Sequence, residues 1–331
     1  MNPNPKRILS GLMALLLLFL IVVPAHAADI TDYGDAQDHW AYEALTWAVN
    51  EGVVVGTSEN KIDPDGYLTR AQMAAMIDRI FGTYKNADIS RYTDVTRGSW
   101  YYDYIAQAVN MGTFNGYSDS RMGPEDNITR EQAMTVLART ICLPDASREA
   151  LARFPDRNDI GTWAYDSIAA LAERGYISGY SNGWLKPKNY ITRAEMVQIM
   201  CNIFQSIHDS GEIAGNYQNT VLVRGEANIH DAVFDGDLIL ANGLGEKSLD
   251  LTNITVKGRL GVWGGSAVSI NGKSTVAGVV VPRTDGPVAI SFDAAATALS
   301  QKDCSIVYPA TMDKGNKVTF TDKANAPSIF Q

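Results

Sequence analysis

A stretch of about thirty residues is written three times into this chain, and that repetition limits the fold before any other property does. The copies run from Trp40 to Arg70 (WAYEALTWAVNEGVVVGTSENKIDPDGYLTR), from Trp100 to Arg130 (WYYDYIAQAVNMGTFNGYSDSRMGPEDNITR) and from Trp163 to Arg193 (WAYDSIAALAERGYISGYSNGWLKPKNYITR). Counted from the Trp, each has a Gly at +12, a Gly at +16, a Pro at +24 and a Thr-Arg pair at +29 and +30. The matched sets are Gly52, Gly112 and Gly175; Gly56, Gly116 and Gly179; Pro64, Pro124 and Pro187; and Arg70, Arg130 and Arg193.

Each copy reads as helix, turn, loop, helix. After the Trp, apolar residues keep to one face: Trp163, Ile168, Leu171 and Ala172 in the third copy, and Trp100, Ile105, Ala108 and Val109 in the second. By this reading the Trp joins the core. The +12 Gly suits a left-handed helix stop. A short β-prone piece follows, the +16 Gly opens a turn, and the Pro marks a loop. The second helix starts at Thr69, Thr129 and Thr192, each three residues before Gln72, Gln132 or Glu195, the spacing of a capping box. Its apolar stripe is Met73, Met76, Ile77 and Ile80 in the first copy and Met196, Ile199, Met200 and Ile203 in the third.

The Arg after the Thr is not explained locally. At the first helical position a cation opposes the helix dipole, yet it stands there three times. Two readings stay open. A helix N-terminus with a guanidinium makes a compact carboxylate or phosphate site. Alternatively, each Arg is buried in an ion pair with Asp35, Asp94 or Asp156, upstream of each Trp.

The 331 residues suffice for about two domains. Residues 1–27 read as a signal peptide: Lys6 and Arg7, an apolar run from Leu12 to Val23, and the cleavage site Ala25-His26-Ala27, which makes Ala28 the expected mature start. The other reading, an uncleaved membrane anchor, meets a run shorter than the roughly 20 residues a span needs. The formal net charge of −9 speaks against nucleic acid as a partner. Cys142, Cys201 and Cys304 are odd in number and far apart, so they read as buried small hydrophobes rather than a disulfide framework.

The Trp, the two glycines, the Pro and the Thr-Arg-Ala-Glu of residues 192–195 resemble S-layer homology (SLH) domains, in three tandem units over roughly half the chain. The expected boundaries are 29–90, 91–152 and 153–210. The resemblance implies a pseudo-threefold helical bundle that anchors an exported protein to secondary cell-wall polysaccharide, often polymer carrying pyruvate ketals. It also implies a ligand held in grooves between repeats. The lining carried over is Arg70, Arg130 and Arg193; Asp35, Asp94 and Asp156; Trp40, Trp100 and Trp163; and Gly56, Gly116 and Gly179. The turn serines Ser58, Ser118 and Ser181 would meet sugar hydroxyls, and a ketal carboxylate would meet the Arg. The copies differ: Gln72 and Gln132 replace the motif's Glu, and Glu131 stands beside Arg130. The grooves are therefore expected to be unequal, with the one using Arg130 weakest.

Helical signal ends near Ile207. His208 to Tyr217 reads as a polar, Gly-containing linker, with the boundary between the domains put at 211–219. From Thr220 the pattern turns to short Val/Ile/Leu runs broken by Gly, Asn and Asp. Gly236, Gly258 and Gly278 recur with a period near 20, as do Leu251, Ile270 and Ile290. This predicts a small all-β domain over 220–331, a short parallel β-helix, rather than a β-sandwich, which does not require the Gly period. Among Asp231, Asp235, Asp237, Asp250, Asp285, Asp293 and His230, only Asp235 and Asp237 are close in sequence, with no nucleophile or metal constellation beside them. The resulting expectation is an α + β anchoring protein that is not an enzyme and needs no cofactor or metal. The alternatives are a wall-tethered polysaccharide-active enzyme, and a lattice subunit with neighbouring S-layer copies as partners.

Overall fold

The computed structural model describes residues 29–283 and 286–293, together with strands at 304–306, 318–322 and 328–330. Residues 1–28, where a signal peptide is expected, Asp285 and the Cys304 side chain lie outside the described residues. Six helices come first: α1 (Tyr42–Asn50), α2 (Arg70–Phe81), α3 (Tyr102–Asn110), α4 (Arg130–Thr140), α5 (Tyr165–Glu173) and α6 (Arg193–Ile203). Each repeat supplies one short and one longer helix. The short helices stop where expected, with Gly52, Gly112 and Gly175 at φ of 67°, 75° and 70°. The longer ones start on reciprocal capping boxes at Thr69, Thr129 and Thr192.

The repeats close into a ring through backbone hydrogen bonds. Leu68 N–H donates to Ile191 O, Ile191 N–H to Ile128 O and Ile128 N–H to Leu68 O, at 2.9, 3.1 and 3.0 Å. Around this triangle, the first two amides of each longer helix are taken by the next repeat's loop. Arg70 and Ala71 donate to Asp126 O and Pro124 O, Arg130 and Glu131 to Asn189 O and Pro187 O, and Arg193 and Ala194 to Gly66 O and Pro64 O. The third amide goes to the capping Thr. These donors would otherwise be orphans.

The stretch expected to be a linker is strand β1 (Ser206–Tyr217), which begins two residues beyond α6 and pairs in parallel along β2 (Val221–Phe234). It is hard to see in sequence because only Ile213 of it is buried. Its backbone, rather than an apolar face, holds it in place. A parallel β-solenoid of about four turns follows, as the Gly period predicts. The start, middle and end of β2 pair with three different strands, β3 (Leu238–Leu240), β4 (Ser248–Thr252) and β5 (Thr255–Val262). The next coils add β6 (Ala267–Asn271), β7 (Thr275–Val281) and β8 (Val288–Phe292), all parallel to their neighbours. Three further strands, β9 (Cys304–Ile306), β10 (Val318–Asp322) and β11 (Ser328–Phe330), extend the sheet, with β11 antiparallel to β10. Gly258 stacks on Gly236, where an added Cβ would lie 2.5 Å from the Gly236 carbonyl oxygen. The apolar ladder departs from the expected one: Leu251 aligns with Ile270, but Ile270 aligns with Phe292 and Ile290 with Val268. The last turn is longer than the period read from the sequence.

Solenoid and helices share one core. Leu222, Ile239, Ala241, Trp263 and Val280 are buried with the helical residues, and the Trp263 and Phe81 rings lie 5.6 Å apart. Two arginines of the solenoid cap the C-terminal ends of longer helices, where the dipole favours a cation. Arg224 donates to Arg79 O at 2.8 Å and to Glu51 O at 3.1 Å, and Arg259 donates to Ile141 O and Cys142 O. The third longer helix, α6, runs into β1 instead. Cys142 and Cys201 are free and only partly buried, less so than the buried small hydrophobes expected from the sequence. Burial pushes the Cys142 thiol up to about 11.

Two outcomes follow from this packing. Limited proteolysis of the native protein leaves 206–217 uncut, because a protease needs that backbone free of its ladder. A single early cleavage there that releases a folded solenoid would contradict the shared core. The second concerns Asp78 on α2, which is buried with neither carboxylate oxygen hydrogen-bonded. Burial raises its pKa well above the usual carboxylate range, with Thr83 and Arg79 pulling it partly back. The folded state therefore holds a proton that the unfolded state loses near pH 4, so this site costs stability increasingly as pH rises from there towards the folded pKa. Asp78→Ala, which installs the residue of repeat two (Ala138), should raise the melting temperature at pH 8 more than at pH 5. An equal shift at both would refute a neutral buried carboxyl.

Candidate glycan-binding grooves

The arginines leave the helix axis and cross to the next repeat. Arg70 Nε donates to Met122 O at 2.9 Å and Nη2 to Asn115 O at 2.8 Å. Arg193 repeats this on repeat one, with Nε on Ile62 O at 2.8 Å and Nη2 on Val55 O at 3.0 Å. Arg130 Nε takes Leu185 O at 2.8 Å. All three are buried, at 5–6% exposure. This overturns the ion-pair reading, and it takes the helix amides, though not the guanidiniums, out of the anion reading. The arginines are not paired with Asp35, Asp94 or Asp156, and the helix N-termini offer no free amide to an anion.

The three aspartates work on the same loops from the other side. Asp35 accepts from the Ile62 and Asp63 amides at 3.0 and 2.9 Å, Asp94 from Met122 and Gly123 at 2.9 and 2.7 Å, and Asp156 from Leu185 and Lys186 at 2.8 and 2.7 Å. Burial alone would raise the Asp94 pKa, but those amides more than offset it and leave it below the usual range. Each Asp thus holds the amide of the residue whose carbonyl the Arg holds.

The tryptophans are exposed, not core: Trp40 63%, Trp100 57% and Trp163 50%. Two of them line cavities assembled from all three repeats. A cavity of about 350 Å³ joins the Val55-Gly56-Thr57 turn and Gln72 of repeat one to Trp100 of repeat two and Arg193 of repeat three. A second, of about 560 Å³, joins the Gly179-Tyr180-Ser181 turn and Glu195 of repeat three to Trp40 of repeat one and Arg130 of repeat two. In both, the turn glycine leaves room for close contact. A Cβ at Gly56 would lie 2.5 Å from the Tyr33 ring, and one at Gly179 2.7 Å from Gly183 O.

The third combination is different. The Tyr117 ring sits 4.4 Å from the Arg70 guanidinium carbon and Phe114 5.3 Å from it, while Tyr180 sits 4.8 Å from the Arg130 carbon, so it is the second ring that sets Arg70 apart. The hollow beside it, about 510 Å³, is lined by Asn115, Arg139 and Asp166 with Trp263 and Pro282 of the solenoid, and by neither Arg70 nor Trp163. Gly116 donates its amide to the Tyr92 hydroxyl, as Gly56 does to Tyr33. Of the turn serines, Ser181 lines a cavity, whereas Ser58 and Ser118 use their amides in their own turns. Glu131 does not disturb Arg130. It turns away, accepting from Lys188 at 2.6 Å and from the Gly161 amide at 2.8 Å.

Sequence reasoning missed three contributors: Glu195, which pairs with Arg130 at 3.1 Å; Tyr180, whose hydroxyl donates to Glu195; and Tyr117. The recurring Gly-Tyr-Ser turn was the available signal. Asp235 is paired with Lys257 at 2.6 Å and Asp237 with Arg259 at 2.5 Å. Among the described residues, no cluster of three or more His, Cys, Asp or Glu could hold a metal ion, and no helix is long and apolar enough to cross a membrane.

Comparison with known proteins locates the repeats independently. The model of the S-layer homology domain matches residues 32–74, 91–134 and 153–197. The chain is similar to the surface-layer 125 kDa protein of Lysinibacillus sphaericus, 27% identical over 62% of this chain and 17% of that protein. It is similar to the S-layer protein sap of Bacillus anthracis, 26% identical over 59% of this chain and 24% of that protein. It is also similar to the exoglucanase XynX of Acetivibrio thermocellus, 28% identical over 52% of this chain and 16% of that enzyme. The chain thus spans less than a quarter of the length of these relatives, and the match to the enzyme covers only the repeats. The ring of three helix pairs is a set of three tandem S-layer homology domains, and the chain is an S-layer homology domain protein.

Proposed function

We propose that this protein is held at the bacterial cell surface by non-covalent binding of a wall polysaccharide in the Arg193 and Arg130 grooves. The observation that carries the reading is the pairing, in one cavity, of a buried guanidinium with an exposed Trp from a different repeat. A wall polymer bearing carboxylate groups, such as pyruvate ketals, suits the guanidinium, and a pyranose face suits the indole. Similarity to surface-layer proteins supports the same reading. The solenoid is carried rigidly on the far ends of the longer helices. Asp235 and Asp237, the acids nearest each other in sequence, are neutralised by Lys257 and Arg259, which favours a structural or display role over catalysis.

The mature chain should sediment with purified walls and stay in solution with walls stripped of their polysaccharide. Equal sedimentation with both would refute a glycan ligand. Trp100→Ala and Trp40→Ala remove exposed side chains, so they should leave the melting temperature unchanged while weakening polymer binding roughly 5- to 30-fold, or about 1–2 kcal/mol. Arg193→Ala behaves differently because its carbonyl bonds join repeat three to repeat one. It should lose binding and also about 2–4 kcal/mol of stability. Titration calorimetry beside thermal melts checks both. Normal polymer binding by both Trp variants would remove the grooves from the account.

A further inference from the structure

The backbone triangle of Leu68, Ile128 and Ile191 lies at the end of the bundle where the longer helices begin, while Arg224 and Arg259 hold the solenoid to the opposite ends. The residue before each corner of the triangle is Tyr67, Asn127 or Tyr190. All three serve the backbone alike: Tyr67 bridges to Thr192, Asn127 to Thr69 and Tyr190 to Thr129. Asn suffices for this in repeat two, so the fold does not call for an aromatic ring at the other two places. Yet the Tyr67 and Tyr190 rings stand side by side there, with centroids 5.5 Å apart and planes tilted by 58°. They remain 57% and 48% exposed. Neither hydroxyl, nor the Asn127 side-chain amide, has a hydrogen-bond partner among the described residues. Two large rings held half in water, where Asn would serve, mark a surface that a ligand covers.

The chemistry of the platform selects the occupant. The rings match the C–H face of a pyranose, and two phenol hydroxyls with one amide supply donors and acceptors for its hydroxyl groups. In the surrounding loops Asp126 is paired with Arg121 and Lys188 with Glu131, so no field of one sign draws a charged group. Neither Tyr67 nor Tyr190 lines the Arg130 or the Arg193 cavity. Tyr67 nevertheless stands within electrostatic reach of the Arg130 cavity, where it adds to the burial and the Glu195 hydrogen bond that push Tyr180 up to about 12. We infer that Tyr67, Tyr190 and Asn127 form an axial platform for an uncharged pyranose of the wall polymer, which continues from the Arg130 groove across the pseudo-threefold axis. The inference rests on the reading of the protein as a wall-polysaccharide binder. Groove and platform then act as linked sites on one glycan chain, so affinity rises once a fragment is long enough to span both.

The test installs the residue that repeat two already has. Tyr67→Asn combined with Tyr190→Asn keeps the backbone bridges, so thermal melts should match the parent. Polysaccharide released from purified walls is cut to graded lengths, and each fraction is titrated calorimetrically into the mature chain. The parent should bind long fractions more tightly than the shortest. The double variant should lose roughly 5- to 30-fold on the long fractions and little on the shortest. Each single variant should lose part of this, which keeps the test sound if the double variant melts lower. The inference is overturned if the Tyr variants bind every fraction like the parent, or lose equally on all. It is also overturned if sedimentation velocity shows the parent self-associating and the double variant monomeric with polymer binding intact, since the rings then cover a second copy of the chain. Trp100→Ala and Trp40→Ala are titrated beside them. If only the Tyr variants are silent, the platform alone fails; if the Trp variants are silent too, the glycan reading of the grooves fails with it.

Discussion

No repeat in this protein is finished by its own residues. The first two amides of each longer helix, and the Arg that begins it, are satisfied by carbonyls of the following repeat, and repeat three returns to repeat one. The ring closes only with three members in this order. Buried amides and guanidiniums without acceptors would each cost more than a single bond returns, so a partial ring leaves expensive loose ends. This explains why a cation stands three times where the helix dipole disfavours it. Its partners are carbonyl dipoles on another repeat, and the dipole penalty is small beside two or three charge-assisted bonds in a buried setting.

The same closure makes the grooves. Because an Arg from one repeat reaches a loop in the next, the guanidinium arrives under a turn that it does not follow in sequence. The Trp that lines that turn comes from the third repeat. The aspartates set the loop, the arginines lock it, and the tryptophans are left outside. Small departures between copies therefore alter whole grooves. Tyr117 and Tyr180 stack on Arg70 and Arg130, Glu195 pairs with Arg130 alone, and Arg193 shares its groove with Gln72 and Thr57. At the opposite end, Arg224 and Arg259 use the same chemistry on helix C-termini to fix the solenoid without a linker.

What could be read from the sequence was what side chains encode locally. The capping boxes, the left-handed glycines at 52, 112 and 175, and the stacked Gly236 and Gly258 all carry residue signatures. Backbone acceptors carry none. Nothing about Met122, Leu185 or Ile62 announces that its carbonyl receives an arginine, so the partner of each Arg stayed open. The tryptophans misled because a helical stripe does not distinguish the residue just before a helix from one within it. Each lies two residues before its helix and points out of the core. Strand β1 was missed because an edge coil with one buried residue has no apolar alternation to show.

The central claim is that residues from all three repeats build one ligand site, twice over. Side-chain indole NMR during titration with a wall-polysaccharide fragment tests it directly, since Trp40, Trp100 and Trp163 occupy equivalent places in sequence and different ones in space. The account predicts that the Trp100 and Trp40 signals shift as ligand is added and that Trp163 stays in place. A shift of Trp163 equal to the other two, or no shift in any of them while the polymer binds, would contradict it.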